Sequence, residues 1–291
     1  GVLLVARCSQ SVIMAATSPS AAAYAADHTS RDQRTGAMAK LGTANSMGTI
    51  LGPAVSGLLA TLGLLAPLYF AGILTAFAAV LTWRQLPPTP RPQLTARQAK
   101  TRLRYTDRRV VRYIASAIGL FIGFSGIQQT LGFQLQDKLS LSGIETAQMT
   151  GAALMVSASF TFFIQMTVMQ RLKLQASQFI RLGLLSALVG AGFIASFETF
   201  LILAIGMAFL GTALGLCMPA ISAGASLAVS ADEQGAVAGM ISSCPAIGFV
   251  VGPVCAGFLY QINGSLAAVF SGSVFFIVLV CLVLTKKKTT P

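Results

Sequence analysis

Few side chains in this 291-residue chain could carry chemistry. There is one histidine, His28, and the five cysteines (Cys8, Cys217, Cys244, Cys255 and Cys281) form no CxxC pair. They read as small residues of apolar surroundings, so no disulfide framework, metal site or cofactor is indicated. The carboxylates Asp27, Asp32, Asp107, Asp137, Glu145, Glu198, Asp232 and Glu233 all fall at the ends of apolar runs or between them. Arg7 is placed differently, directly after the apolar residues 2–6. An ionisable group inside such a run is costly and is a functional candidate on that ground. Counted back from residue 26, however, it lies about 28 Å from the far end of the run, so its side chain could equally snorkel to an interface. Uncharged polar groups within apolar runs are the remaining candidates: Asn45, Gln128, Gln129 and Gln165, with Phe124 beside them. They could line a ligand cavity, or they could hydrogen-bond between helices at around 1 kcal/mol each. A weakly charged, aromatic-bearing cavity would favour amphipathic organic compounds.

The elements that hold these residues follow from composition. The chain is 55% hydrophobic and 10% charged, with a formal net charge of +12. A soluble domain carries roughly a quarter charged residues, so a water-soluble surface of this size is excluded and a membrane-embedded chain is indicated. Taking roughly 20 apolar residues per crossing, the reading finds nine helical spans. They are 1–26, 41–62, 66–84, 113–134, 147–169, 182–197, 200–228, 235–260 and 266–285, with an alternative division of 182–228 around Glu198. Continuous apolar runs rather than short alternating ones argue against a barrel. Connections 27–40, 85–112, 170–181 and 229–234 and the tail from Lys286 hold nearly all the Lys and Arg, whereas those on the other side hold Lys138 alone. This asymmetry predicts a multi-pass protein of the cell inner membrane with a cytoplasmic C-terminus.

The chain also repeats itself at an offset of 200. Pro19 pairs with Pro219, Gly48 with Gly248, Gly52 with Gly252, Pro53 with Pro253 and Gly57 with Gly257. Parallel repeats of this kind build carriers from two similar halves with substrate bound between them. The expected division is therefore an N-terminal bundle at 1–84, a basic linker at 85–112, a six-helix bundle at 113–285 and a tail at 286–291. Three spans precede the linker and six follow it, so an all-α fold of twelve spans lacking its first three is expected. Within each repeat, small residues at four-residue spacing (Gly48, Gly52 and Ser56; Gly248, Gly252 and Ala256) share one helix face on which a neighbouring backbone can close in. Pro53 and Pro253 free the carbonyls of Thr49 and Phe249 and can bend their helices. A rocking contact between bundles and plain helix packing both fit this element.

Residues 48–57, reading GTILGPAVSG, resemble the antiporter motif GxxxGPxxGG of the fifth span in drug/proton exporters of the major facilitator superfamily, with Ser56 in place of a glycine. Leu3, Arg7 and Gln10 are similarly spaced to the fourth-span motif LxxxRxxQG, with Ser11 in place of its glycine. The resemblance implies alternating-access efflux, similar to tetracycline and multidrug exporters, with protons exchanged for small amphipathic compounds. It also implies that Arg7 and Gln10 serve proton coupling. Gly48, Gly52, Pro53 and Gly57, repeated as Gly248, Gly252, Pro253 and Gly257, would be the functional helix contacts.

A metabolite or siderophore exporter, an uptake symporter, or a fragment unable to transport are alternatives on the same scaffold. A membrane-embedded enzyme is not expected, because such enzymes cluster His, Asp or Ser machinery within their spans. The expected partners are a small-molecule substrate, protons and the bilayer, with the protein a monomer and no nucleic acid bound. Asp232 and Glu233 are expected to cap the helix starting near Gly235. The basic linker, including Arg91, Arg97, Lys100, Arg102, Arg104, Arg108, Arg109 and Arg112, is expected against anionic lipid.

Overall fold

The computed structural model describes residues 55–63, 65–85, 103–172, 174–230 and 233–286 together with scattered helical positions among 1–52. All regular structure among the described residues is helical. It comprises a 3-10 turn at Ala60–Leu62 and seven long helices: α1 (Ala66–Gln85), α2 (Val111–Leu139), α3 (Gly143–Arg171), α4 (Ala176–Ala195), α5 (Phe200–Leu227), α6 (Gln234–Ile262) and α7 (Leu266–Lys286). Each is long and apolar enough to cross a bilayer. In hydrocarbon every backbone N–H and C=O must find its partner within the element, and a helix achieves this with no neighbour. The protein is an all-helical, multi-pass membrane protein.

The chain falls into two compact units, Gly1–Gly52 with Gly72–Gln93, and Pro53–Ala71 with Leu94–Pro291. The second unit contains the bundle α2–α7. Its principal pairings are α4 on α5, α2 on α6, α3 on α5, and α7 on both α4 and α2. The core is filled by Leu120, Ile127, Leu131 and Leu135 of α2, Leu184 and Ile194 of α4, Met207 and Leu210 of α5 and Phe275 of α7, all buried. Lipid tails are as apolar as these side chains, so the bundle coheres through close packing and interhelical hydrogen bonds rather than by exclusion of water.

The helices extend beyond their apolar runs, and the added turns carry charge. α2 continues to Leu139, so Lys138 belongs to its last turn rather than to a loop; its Nζ donates to the carbonyls of Ala195 and Phe197, both at 3.1 Å. α3 begins at Gly143 and takes Glu145 into its first turn. There Ser142 and Glu145 form a capping box, in which the Glu145 carboxylate accepts from the Ser142 N–H at 2.9 Å. α4 begins at Ala176, six residues ahead of the predicted start, and contains Arg181, whose Nε donates to the Ser177 carbonyl at 3.0 Å. Charged groups near a helix end can cap it or reach water, so the end of an apolar run does not mark the end of a helix. The left-handed Ser140 (φ 52°) then turns the chain sharply from α2 into α3. The predicted spans 1–26 and 41–62 fall largely outside the described residues, and the described positions within them are helical apart from residues 60–62, the 3-10 turn.

Candidate functional site

Gly248 and Gly252, in the second copy of the glycine repeat, lie at a close helix contact. On α6, Gly248 faces Phe121 and Ile122 of α2; a Cβ there would come 2.7 Å from the Phe121 carbonyl carbon and 2.9 Å from the Ile122 nitrogen. One turn on, a Cβ at Gly252 would collide with Ser125 Oγ and the Ile122 carbonyl and reach 3.0 Å from the Gly126 nitrogen. Only glycine admits this approach of backbone to backbone. The contact is sealed by a hydrogen bond from Ser125 Oγ to the Gly248 carbonyl at 2.8 Å, buried on both sides. Pro253 stands inside α6, half-buried, and the helix continues through it; a second proline, Pro245, lies two turns earlier. Gly257 is off the contact, with no described atom within 4 Å of an added Cβ.

In the first copy, Gly57 is half-buried, and a Cβ there would sit 3.7 Å from the Gln148 carbonyl and 3.8 Å from the Gly151 Cα of α3. Gly48 and Gly52 are exposed and meet no described atom within 4 Å. Arg7, Asn45 and Pro53 lie outside the described residues. Gln10 is helical and exposed.

The polar candidates on α2 separate by face. Phe124 and Gln128 are one turn apart and half-buried, and Gly132, the next position along that stripe, faces Thr146 and Thr150 of α3. The Oε1 of Gln128 and the Oγ1 of Thr150 are both fully buried and have no hydrogen-bond partner among the described residues. A desolvated acceptor left with no donor costs about 1–3 kcal/mol, which makes this strip the polar feature of α2 to test for substrate contact. Gln129 points away and is exposed. Gln165 is half-buried on α3 but stands apart from Gln128. The short link at residues 140–142 makes α2 and α3 antiparallel neighbours, which sets Gln128 level with Leu154 and leaves Gln165 about 16 Å further along the axis.

Two buried groups went unnoticed in the sequence. Thr150 carries the unpaired hydroxyl just described. Gln134 is 1% exposed and donates to Thr130 Oγ1 at 3.0 Å, while Thr130 donates to the Gly126 carbonyl at 2.9 Å. The i, i+4 spacing of Gly126, Thr130 and Gln134 was the available signal, since it puts all three on one helix face.

At the end where α2 begins, Arg109 departs from the expectation of lipid contact. Its guanidinium grips Glu233 in a bidentate pair, Nη1 and Nη2 each donating at 2.9 Å, and also donates to Asp107 at 2.9 Å. Glu233 correspondingly does not cap α6. Its carboxylate accepts from the N–H and hydroxyl of Ser230 and from Arg109, because a charge-assisted bidentate pair with a guanidinium is stronger than bonds to neutral N–H groups of a helix terminus. Hydrogen bonds from Arg109 and then from Ser230 hold the Glu233 carboxyl down at about 2. Those from Arg109 also lower Asp107, and the two carboxylates raise Arg109 further above its ordinary value. Asp232 lies outside the described residues. At the opposite end, the Tyr260 hydroxyl of α6 donates to the Asp137 carboxylate of α2. α2 and α6 are thus tied at their middle by glycine packing and near both ends by polar contacts. Among the described residues no group of three or more His, Cys, Asp or Glu side chains is close enough to hold a metal ion.

The comparisons with known proteins agree with this architecture. Over 281 residues the chain is 27% identical to Multidrug resistance protein 2 of Bacillus subtilis (strain 168), covering 93% of this chain and 69% of that protein. Residues 1–189, more than half of the chain, match the sequence profile of the Major Facilitator Superfamily. With its multi-pass helical fold and its glycine-faced repeat, the chain belongs to the Major Facilitator Superfamily of membrane transporters.

Proposed function

We propose that this transporter exports small amphipathic organic compounds in exchange for protons, by alternating access of two helical bundles. The observation that carries the reading is the approach of Gly57, in the half before the basic linker, to Gln148 and Gly151 of α3, in the half after it. A small residue at such a contact lets packed helices shift without displacing side chains, which is what rocking of two bundles needs, and the glycine element recurs within the second bundle on α6. Its first copy, residues 48–57, resembles the motif of drug/proton exporters, and the relative in Bacillus subtilis bears the name Multidrug resistance protein 2. Arg7 and Gln10 carry the proton-coupling assignment by the same resemblance. Phe124 and Gln128 are the first substrate contacts to test, with Asn45, Gln129 and Gln165 behind them. The basic connections and the C-terminal tail face the cytoplasm of a cell inner membrane, and the protein works as a monomer.

The test is transport of labelled amphipathic drugs in proteoliposomes under an imposed pH gradient. Accumulation that requires the gradient and runs opposite to proton flow is expected. Uptake in the direction of proton flow would identify a symporter, and no gradient-dependent movement across a broad drug panel would reject the reading.

A further inference from the structure

Where α2 begins and α5 and α7 end, the bundle holds a half-open cavity of about 720 Å³ that takes no part in the proposed transport. Its wall is mostly apolar, with Leu172, Leu174, Leu227 and Leu282 among the lining residues, yet two guanidinium groups line it as well, Arg112 from α2 and Arg181 from α4. Each arginine is held in place by a neutral partner. Arg112 donates through Nη2 to the Tyr113 hydroxyl at 2.9 Å and lies 4.7 Å from the centre of that ring. Arg181 donates through Nε to the Ser177 carbonyl at 3.0 Å. A guanidinium has five N–H donors, and these contacts use one from each.

No carboxylate among the described residues answers either charge. Asp107 and Glu233 are taken by Arg109, Asp137 accepts from Tyr260, Glu145 is in its capping box at the opposite end of α3, and Glu198 lies in the link between α4 and α5 at that same opposite end. Two cations that no described carboxylate answers, on an apolar wall at the depth where helices leave the hydrocarbon, match one chemistry: a phosphate attached to acyl chains. A cationic amphiphile would be repelled here. A zwitterionic headgroup would bring a quaternary ammonium against the two arginines.

We propose that this cavity is a binding site for an anionic phospholipid, its phosphate held between Arg112 and Arg181 and an acyl chain lying along Leu172, Leu227 and Leu282. The purified protein in neutral detergent is titrated with phosphatidylglycerol, phosphatidylcholine or sodium phosphate, and bound lipid is counted by native mass spectrometry alongside the melting temperature. Phosphatidylglycerol should bind and stabilise in preference to phosphatidylcholine, and Arg112→Gln and Arg181→Gln should each weaken it by about fivefold, the scale of one arginine near an anionic headgroup. Arg171→Gln removes a neighbouring charge outside the cavity and should leave that binding unchanged. Equal binding of the two lipids by the unaltered protein, a comparison that needs no variant to fold, would overturn the proposal. So would equal losses in all three variants, which would mean diffuse charge attraction, or equal protection by sodium phosphate, which would mean a site for free phosphate.

Discussion

Gly252→Ala tests the α2–α6 contact with the least chemistry, one methyl group. The added Cβ would overlap Ser125 Oγ and the Ile122 carbonyl and press on the Gly126 nitrogen, and two of these three are backbone atoms that cannot rotate aside. Forcing a methyl into a packed interface costs about 1–3 kcal/mol. Parting the helices also stretches the Ser125–Gly248 hydrogen bond of 2.8 Å, adding about 0.6–1 kcal/mol on the scale of bonds within membranes. Alanine returns up to about 1 kcal/mol through its higher helix propensity, which leaves a net loss of about 1–3 kcal/mol. At about 2–4 °C per kcal/mol for a domain of this size, the central value corresponds to a fall of about 4–8 °C in melting temperature. The reference is Gly257→Ala in the same helix, where an added Cβ meets no described atom within 4 Å, so that variant should be neutral or slightly stabilised. Thermal melts of both in detergent decide the matter. If Gly252→Ala melts with or above Gly257→Ala, the helices do not meet through this face.

Three further perturbations probe other links. Gln128→Leu removes a buried acceptor that lacks a donor and should raise stability by about 1 kcal/mol while lowering transport of polar-headed drugs, whereas exposed Gln129→Leu should change neither; a stabilised Gln128→Leu with unaltered transport would remove Gln128 from the substrate path. Lys138→Met deletes two hydrogen bonds from α2 to the α4–α5 link and should cost about 1–2 kcal/mol, read as a lowered melting temperature that Lys138→Arg largely restores. The Arg109–Glu233 contact should respond to acid in one direction. The Glu233 carboxyl is lowered from 4.5 to about 2, so its contribution is complete above about pH 4.5 and is lost as pH falls towards 2. Hydrogen exchange of residues 103–110, corrected for intrinsic rate, should accelerate over that interval, and Glu233→Gln should reduce the acid dependence to the part that Asp107, also lowered by Arg109, contributes.

Architecture was legible because it rests on a one-dimensional signal, the length of apolar runs, and a bilayer permits little besides helices along them. Helix ends were less legible. Glu145, Lys138 and Arg181 read as loop charges, while in the fold each belongs to a terminal turn where a cap, a carbonyl or water receives it. The repeat singled out Gly248 and Gly252, since small residues at four-residue spacing imply a close neighbour. It could not say which helix approaches, because Phe121 and Ser125 lie more than a hundred residues away in sequence and carry no mark of pairing. Glu233 illustrates the same limit. Its place before a helix suggested a cap, and only tertiary structure brings Arg109 within 2.9 Å to outcompete the helix terminus.

The central claim, exchange of protons for amphipathic compounds, is tested most directly by following the protons. Vesicles containing the protein and a trapped pH indicator are given a proton gradient, and drug is added on the side from which it is to be exported. Drug-dependent collapse of the gradient, reversing in sign when the gradient is reversed, is the expected result. A gradient that decays at the same rate with and without drug, while labelled drug still crosses, would contradict the account.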